Sequence, residues 1–329
     1  MPYTRLLSAL LLIPCLQSCL PSDKLVAPPA PGSSKRMQVL VGSTYDRQVF
    51  VDLATLDTVL TVPLDSWNLC VNSRPDDHTI RLNTGLVASV QDAGEVPFDD
   101  VRNAPATESR YDHPTGRTDS MAIGIWWNAD GSGDGHVYVV HLGYDTKGRD
   151  LGFRKIQLVS AEADHIVLRA ATLDGSSDTT VTVAKDPLRR TTGIRLAPTV
   201  QVVTHEPPAD NWDIVFTRYT HVFWEPAFTP YAVTGALVNT TRIETAKTRK
   251  TPFVAIDRTA AEAMTFTKDR DGIGYSWKSY DLNAGTYTID TTTTYVIHDV
   301  YGQYTKLRFL DFYDSQGRTG APLFDVAPL

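Results

Sequence analysis

An aromatic-led segment, Trp67-Asn68-Leu69-Cys70-Val71, returns later in the chain as Trp212-Asp213-Ile214-Val215-Phe216, and the same landmarks follow each occurrence in the same order. Thr84-Gly85-Leu86-Val87 is matched by Thr234-Gly235-Ala236-Leu237, and Pro97-Phe98 with Val101 by Pro252-Phe253 with Ile256. Tyr138-Val139-Val140-His141 is matched by Tyr295-Val296-Ile297-His298, and Phe153-Arg154-Lys155-Ile156 by Tyr304-Thr305-Lys306-Leu307. A repeat of roughly 150 residues has the size of an ordinary domain and is too long for a solenoid unit. The reading is two tandem domains of one ancestry, residues 37–176 and 177–329, each with its own core. The boundary falls at the turn-rich Asp174-Gly175-Ser176-Ser177.

Arg5 precedes an apolar run from Leu6 to Leu16 that ends in Leu16-Gln17-Ser18-Cys19. A membrane-spanning helix needs about 20 apolar residues, so this run reads as an export signal over residues 1–18. A small residue followed by cysteine at the cleavage point resembles a bacterial lipoprotein signal, in which Cys19 is the lipidated first residue of the mature chain; the alternative reading is a standard signal peptide that contains cysteines. Of the three cysteines, Cys15 leaves with the signal and Cys19 carries lipid, so Cys70 remains without an internal disulfide partner and reads as a small buried hydrophobe. Both domains must then be held by burial alone, for which 42% hydrophobic residues suffice. Residues 19–36, rich in proline around Ala27-Pro28-Pro29-Ala30-Pro31, read as a tether between lipid and folded chain. The net charge of −7, with only short isolated basic runs, speaks against a nucleic-acid partner.

Beyond the tether the signals are those of strands. Gln38 to Val41, Val49 to Val51, Val137 to His141, Ile156 to Val159, Thr179 to Val183, Val200 to Val203 and Tyr287 to Ile289 are short, β-branched or aromatic, and bounded by turn residues. The best helix candidate, Thr259 to Met264, is brief. The fold class is all-β, with sandwich- or barrel-like packing in each half.

Asn211-Trp212-Asp213-Ile214-Val215-Phe216-Thr217-Arg218-Tyr219, then Gly274-Tyr275-Ser276-Trp277, then Tyr295 to Ile297 with Tyr301 to Phe309, resemble the HmuY family of bacterial surface lipoproteins. The first half follows the same outline more faintly through Trp67, Ile80 to Gly85, Phe98 to Val101 and Tyr138 to His141. The resemblance implies an all-β domain that binds haem or a related tetrapyrrole and hands it to an outer-membrane receptor. It further implies two iron-binding histidines, one in a loop before the second conserved tryptophan and one five residues after it. Leu282 stands five residues after Trp277, and no histidine lies between Pro252 and Trp277, so both are missing. Haem iron also accepts methionine. Met264 lies where the first ligand is expected, and its alternative reading is a gap-filling core residue. His221, among Tyr219, Phe223, Trp224 and Phe228, suits an apolar porphyrin pocket, and an aromatic core or partner surface explains the same cluster.

The other histidines read as structural. His141 and His298 hold equivalent places and suggest a strand-end hydrogen bond, while His136 and His141 point to opposite faces of one strand. His78 and His113 lie in polar turns, and His165 and His205 read as surface or edge residues. No nucleophile elbow, metalloprotease helix, phosphate loop or dinucleotide fingerprint occurs, so no catalytic or metal-ligating set is assigned. Asp130-x-Ser132-x-Asp134-Gly135 resembles the opening of a calcium loop, but its twelfth position is His141 in place of an acid, and a Gly-rich hairpin accounts for it. Two functions remain open: capture of haem or a related tetrapyrrole at the cell surface or periplasmic face of the outer membrane, and a non-haem interaction module on the same scaffold. An exported hydrolase has no motif behind it.

Overall fold

The computed structural model describes residues 33–329. The signal segment, Cys19 and most of the tether therefore lie outside the described residues. Twenty strands follow in chain order: β1 (Lys35–Gln38), β2 (Arg47–Asp52), β3 (Asp57–Pro63), β4 (Leu69–Asn72), β5 (Ile80–Leu82), β6 (Ser89–Asp92), β7 (Val137–His141), β8 (Phe153–Ala161), β9 (His165–Ala171) and β10 (Thr179–Ala184). Then come β11 (Thr191–Arg195), β12 (Gln201–Val203), β13 (Ile214–Phe223), β14 (Thr229–Val238), β15 (Ile243–Thr248), β16 (Lys278–Asp281), β17 (Thr286–Ile289), β18 (Thr294–Asp299), β19 (Tyr304–Tyr313) and β20 (Thr319–Pro328). One short helix, α1 (Arg258–Glu262), is capped by the Asp257 carboxylate, which accepts from the Ala260 N–H at 2.8 Å. The chain is all-β, as its patterning implies.

The strands form two sandwiches. In the first, the sheet β10-β9-β8-β7-β6 faces the sheet β12-β11-β4-β5. Leu69, Val71, Ile80, Trp126, Tyr138, Ile156, Leu168 and Ile194 fill the space between them. In the second, β1-β20-β19-β18-β15 faces β14-β13-β2-β3 over a core of Val49, Phe216, Trp277, Tyr295, Phe309 and Phe324. Trp277 stacks on Phe309 at 3.9 Å between ring centres. The alternation of each strand sends every second side chain inward, which is why β-branched and aromatic residues at period two generate both cores.

The sheets do not part at residue 176. Strand β10 pairs with β9, and β11 with β4, so residues beyond the expected boundary complete the first sandwich. Conversely β1 pairs with β20 and β2 with β13, so the start of the chain completes the second. The Asp174–Ser177 stretch is a hairpin turn inside one sheet, closed by the Thr172 N–H donating to the Ser176 carbonyl at 3.1 Å, with Gly175 at φ +87°. Turn residues carry the same signature in a hairpin and in a linker, so composition alone did not separate them. Lys35 and Arg36 likewise leave the tether for β1, where the Arg36 guanidinium holds Asp325 at 2.9 Å.

The two sandwiches share their strand order and several internal devices. Asn83 donates to the carbonyls of Leu64 and Trp67, and Asn239 to those of Ala209 and Trp212. The buried Lys155 ammonium donates to the Phe98 and Val101 carbonyls, and Lys306 to that of Ile256. His141 meets Asp150 at 2.9 Å and stacks on Phe153, while His298 meets Glu244 at 2.8 Å and stacks on Tyr304. One landmark pair does not coincide: Thr84–Leu86 is a 3₁₀ turn, whereas Thr234 to Leu237 lie inside β14. The corresponding asparagines, Asn83 and Asn239, mark the better register.

The outward faces of β4, β5 and β11 meet those of β2 and β13. Inward Leu69, Val71, Ile80 and Leu82 leave Cys70 and Arg81 facing out, and inward Ile214 and Phe216 leave Thr217 and Tyr219 facing out. Across this contact the Trp67 indole N–H donates to Gln48 at 2.8 Å, and the Thr220 hydroxyl donates to the Thr84 carbonyl at 2.7 Å. Gly85 sits so close to β13 that a Cβ there would lie 3.0 Å from the Arg218 carbonyl oxygen. His205, read from sequence as a surface residue, is buried here against Trp67 with Nε2 at 3.1 Å from Thr191, and burial pushes its pKa down to about 4. The turn after the short β12 carries it under the indole.

The exchanged strands make the folding unit testable. A fragment of residues 64–206 is expected to melt cooperatively by circular dichroism, because it contains β4 to β12. A fragment of residues 37–176 is expected to show no cooperative transition, because β4 then lacks β11 and the first core is open to water.

Candidate functional site

Strands β13 and β14 are each ten residues long, where their counterparts β4 and β5 have four and three. The extra length carries the β13–β14 hairpin past the core, and its tip exposes Trp224, Phe228 and Tyr231. His221 pairs with Tyr231 near this tip and shares the outward face of Thr217 and Tyr219. Its ring lies 4.8 Å from that of Phe223 and 5.0 Å from that of Tyr275.

Facing the hairpin is the long connection between β6 and β7 of the first sandwich. Asp112 pins it: the buried carboxylate accepts from the Leu82 N–H at 2.7 Å and the Ala122 N–H at 2.8 Å. Burial raises the Asp112 pKa, and these two backbone donors oppose the rise. Between the walls is a cleft of about 330 Å³ lined by Tyr111, His113, Met121, His221, Trp224 and Phe228, among others. Tyr111 and Phe228 approach to 6.2 Å across it.

Tyr111, His113, Met121 and His221 have the chemistry to ligate iron, and hydrogen bonds distinguish the two histidines and the methionine. The Nδ1 atom of His113 lies 3.0 Å from the Thr115 hydroxyl and 3.3 Å from the Thr115 N–H, so that nitrogen is engaged. The Met121 sulfur lies 3.1 Å from an Arg81 Nη1 donor, which engages one of its two lone pairs. Neither ring nitrogen of His221 has a hydrogen-bond partner among the described residues, and burial lowers its pKa, which favours the neutral, donor-competent imidazole. His221 is the histidine of the cleft whose two ring nitrogens are both free among the described residues.

Met264 lies elsewhere. It packs against Ile256, Ala261, Val296 and Leu329 beside α1, on the outward face of the β18–β20 sheet. His221 lies on the outward face of the opposite sheet, so the two candidates do not meet. Leu282, at the position of the second family histidine, is exposed in the turn between β16 and β17. Among the described residues no group of three His, Cys, Asp or Glu side chains is placed to hold a metal ion, and no helix is long and apolar enough to cross a membrane. The Tyr111 to Met121 wall escaped sequence reasoning because a buried aspartate among turn residues leaves no periodic trace. Its one available signal was Tyr111 standing alone among polar neighbours.

The HmuY protein family model matches residues 44–325. No curated protein matches the chain significantly. Among solved structures, apo PinO from Porphyromonas gingivitis is 12% identical, with 91% of this chain and 98% of that chain covered and a TM-score of 0.29. The apo HmuY analog TFO from Tannerella forsythia is 11% identical, with 92% and 98% covered and a TM-score of 0.26. An HmuY-like heme binding protein from Bacteroides vulgatus is 11% identical, with 89% and 90% covered and a TM-score of 0.23.

Removing the pin of the cleft wall has a calculable cost. Asp112→Ala leaves two buried N–H groups without acceptors, and is expected to lower stability in urea by about 3 kcal/mol. Asp112→Asn keeps one acceptor oxygen and should lose about half as much. Equal stability of all three proteins in urea melts would show that the pin is dispensable.

Proposed function

The chain belongs to the HmuY family, and from that premise we propose that it captures haem or a related tetrapyrrole outside the cytoplasm and delivers it to an outer-membrane receptor. The observation that carries this reading is His221, an imidazole without a hydrogen-bond partner in an aromatic-lined cleft between the two sandwiches. Ligand pockets of about 300–1,000 Å³ with apolar walls and a few polar groups are the common type. At about 330 Å³ this cleft takes part of a flat guest and leaves its edge in solvent. Aromatic faces of Trp224, Phe228 and Tyr111 supply dispersion contact with a conjugated ring, and His221 supplies a nitrogen to its iron. Met264, outside the cleft, contributes packing in this reading.

The proposal extends to the chain's place and ancestry. Residues 1–18 act as a lipoprotein signal, Cys19 carries the lipid, and the proline-rich stretch after it holds the folded part away from the membrane. Two HmuY-like copies arose by duplication and exchanged their first three strands. The recurring Asn83 and Asn239, and Lys155 and Lys306, support that reading.

Titration of the protein with haemin, in oxidised and reduced states, is expected to give a saturable shift of the Soret band. His221→Ala should weaken binding and change the spectrum of the complex, while Met264→Ala should leave both unchanged. A titration no different from that of an unrelated β protein would point instead to an interaction module that kept the scaffold.

Anchoring has its own test. Cys19→Ser expressed in a Gram-negative host should move the protein from the membrane fraction to the soluble fraction. Retention in the membrane would overturn the lipid anchor.

A further inference from the structure

A second cavity, of about 920 Å³, opens between the two sandwiches away from the aromatic cleft. Its walls carry Arg74, Arg81, Lys185, Arg189, Arg190 and Lys268, against the acids Asp77, Asp164 and Asp210. Some of this charge is already used. Arg74 is paired with Asp76, Arg189 with Asp186, and the Lys185 ammonium donates to the Arg74 and Asp77 carbonyls. Arg81 and Arg190 are only partly engaged: the Arg81 Nη1 donates to the Gly116 carbonyl at 2.7 Å and meets the Met121 sulfur, and the Arg190 Nη2 reaches the Thr240 hydroxyl at 3.5 Å, without a carboxylate ion pair among the described residues. Their Nε atoms, and that of the neighbouring Arg270, are buried without a hydrogen-bond partner among the described residues.

These three guanidiniums crowd one another. Burial lowers the pKa of Arg190 and, to about 10, that of Arg270, and each is lowered further by its cationic neighbours. The nearby buried carboxylates are Glu206, which accepts from the Thr191 N–H at 2.7 Å, and Asp112, which lies near Arg81 and Arg270 and is held by the Leu82 and Ala122 N–H groups. Two carboxylates do not neutralise three guanidiniums. The Cys70 thiol beside them adds no charge, because burial pushes its pKa up to about 11. A buried cation without a paired counter-charge is costly, and three clustered guanidiniums with unsatisfied Nε donors beside an open cavity favour an anion there. Planar guanidiniums also fit the paired oxygens of carboxylate and phosphate groups.

We propose that this inter-sandwich cavity binds a small molecule bearing two or more oxyanion groups, with Arg81 and Arg190 as its inner contacts and Lys268 at its rim. The anion bridges the two halves, since Arg81 and Arg190 belong to the first sandwich and Lys268 to the second. Binding therefore stabilises their contact as well as neutralising the cluster.

Thermal melts of the full chain in inorganic pyrophosphate or in citrate, each compared with chloride at matched ionic strength, test this and separate phosphate from carboxylate ligands. At least one of the two is expected to raise the melting temperature saturably. Arg190→Gln should weaken that ligand about tenfold, the loss of one charge-assisted contact. It should not lower the melting temperature of the free protein, because it removes a like charge; a purely structural arginine would give the opposite. Lys268→Gln, exposed and remote from both cores, should weaken binding severalfold with the free protein unchanged. No saturable shift with either anion, or shifts of wild-type size in both variants, would overturn the proposal.

Discussion

The pairing of β2 with β13, and of β11 with β4, is the constraint from which the rest of the molecule follows. A strand with one side of its hydrogen-bond ladder open is an aggregation-prone edge, and a core with one sheet incomplete is open to water. Here the partners that close both defects come from the far side of the sequence. Neither sandwich is complete until residues on each side of the midpoint have crossed. The connections between them, Pro63 to Leu69 and Val203 to Ile214, are short, so the two sandwiches are forced face to face. That forced contact makes both cavities: the aromatic cleft at one place and the cationic chamber at another.

Inside each sandwich the chain uses buried polar groups as pins. Lys155 is fully buried, and its ammonium is tolerated because two carbonyls accept from it and the Phe98 ring lies 4.7 Å away. Burial lowers its pKa, but the hydrogen bonds are made by the charged form. The pin holds the 3₁₀ turn at Phe98 against β8, and Lys306 holds the turn at Phe253 against β19 in the same way. These turns open the long connections from β6 to β7 and from β15 to β18. Loops that carry recognition residues need such fixed bases.

How much of this was legible depends on the range of each cause. Strand positions such as Val137–His141 and Thr179 to Val183 were readable because alternation is a property of adjacent residues. The repeat was readable through Trp67 and Trp212, and through Lys155 and Lys306, because it needs only comparison of the chain with itself. Strand exchange was not, since Asp174-Gly175 reads alike as hairpin or linker and the choice lies in pairing between distant strands. His221 stood out through its aromatic neighbours Tyr219 and Phe223, whereas the opposite wall of the cleft depends on Asp112 reaching the backbone of β5. His205 misled for the same reason: a polar residue after a short edge strand is buried only because Trp67 arrives from another part of the chain.

What the two sandwiches share explains the fold, and where they differ explains the site. The asparagine pins, the lysine pins and the strand order are common to both, so none of them can make one face of the molecule special. The long β13–β14 hairpin belongs to the second sandwich alone, with Trp224 and Phe228 at its tip. The Asp112-pinned wall belongs to the first. A cleft that needs one distinctive part from each half cannot exist in either alone, and so its geometry is set by the sheet-to-sheet contact between them. Gly85 lies at that contact: a Cβ there would meet the Leu64 side chain at 2.5 Å and the Arg218 carbonyl of β13 at 3.0 Å, so a side chain would push the Thr84–Leu86 turn away. Separation of the sandwiches at that point would widen the cleft around His221 and draw its aromatic walls apart, which ties the cleft directly to the pairing of distant strands that builds the fold.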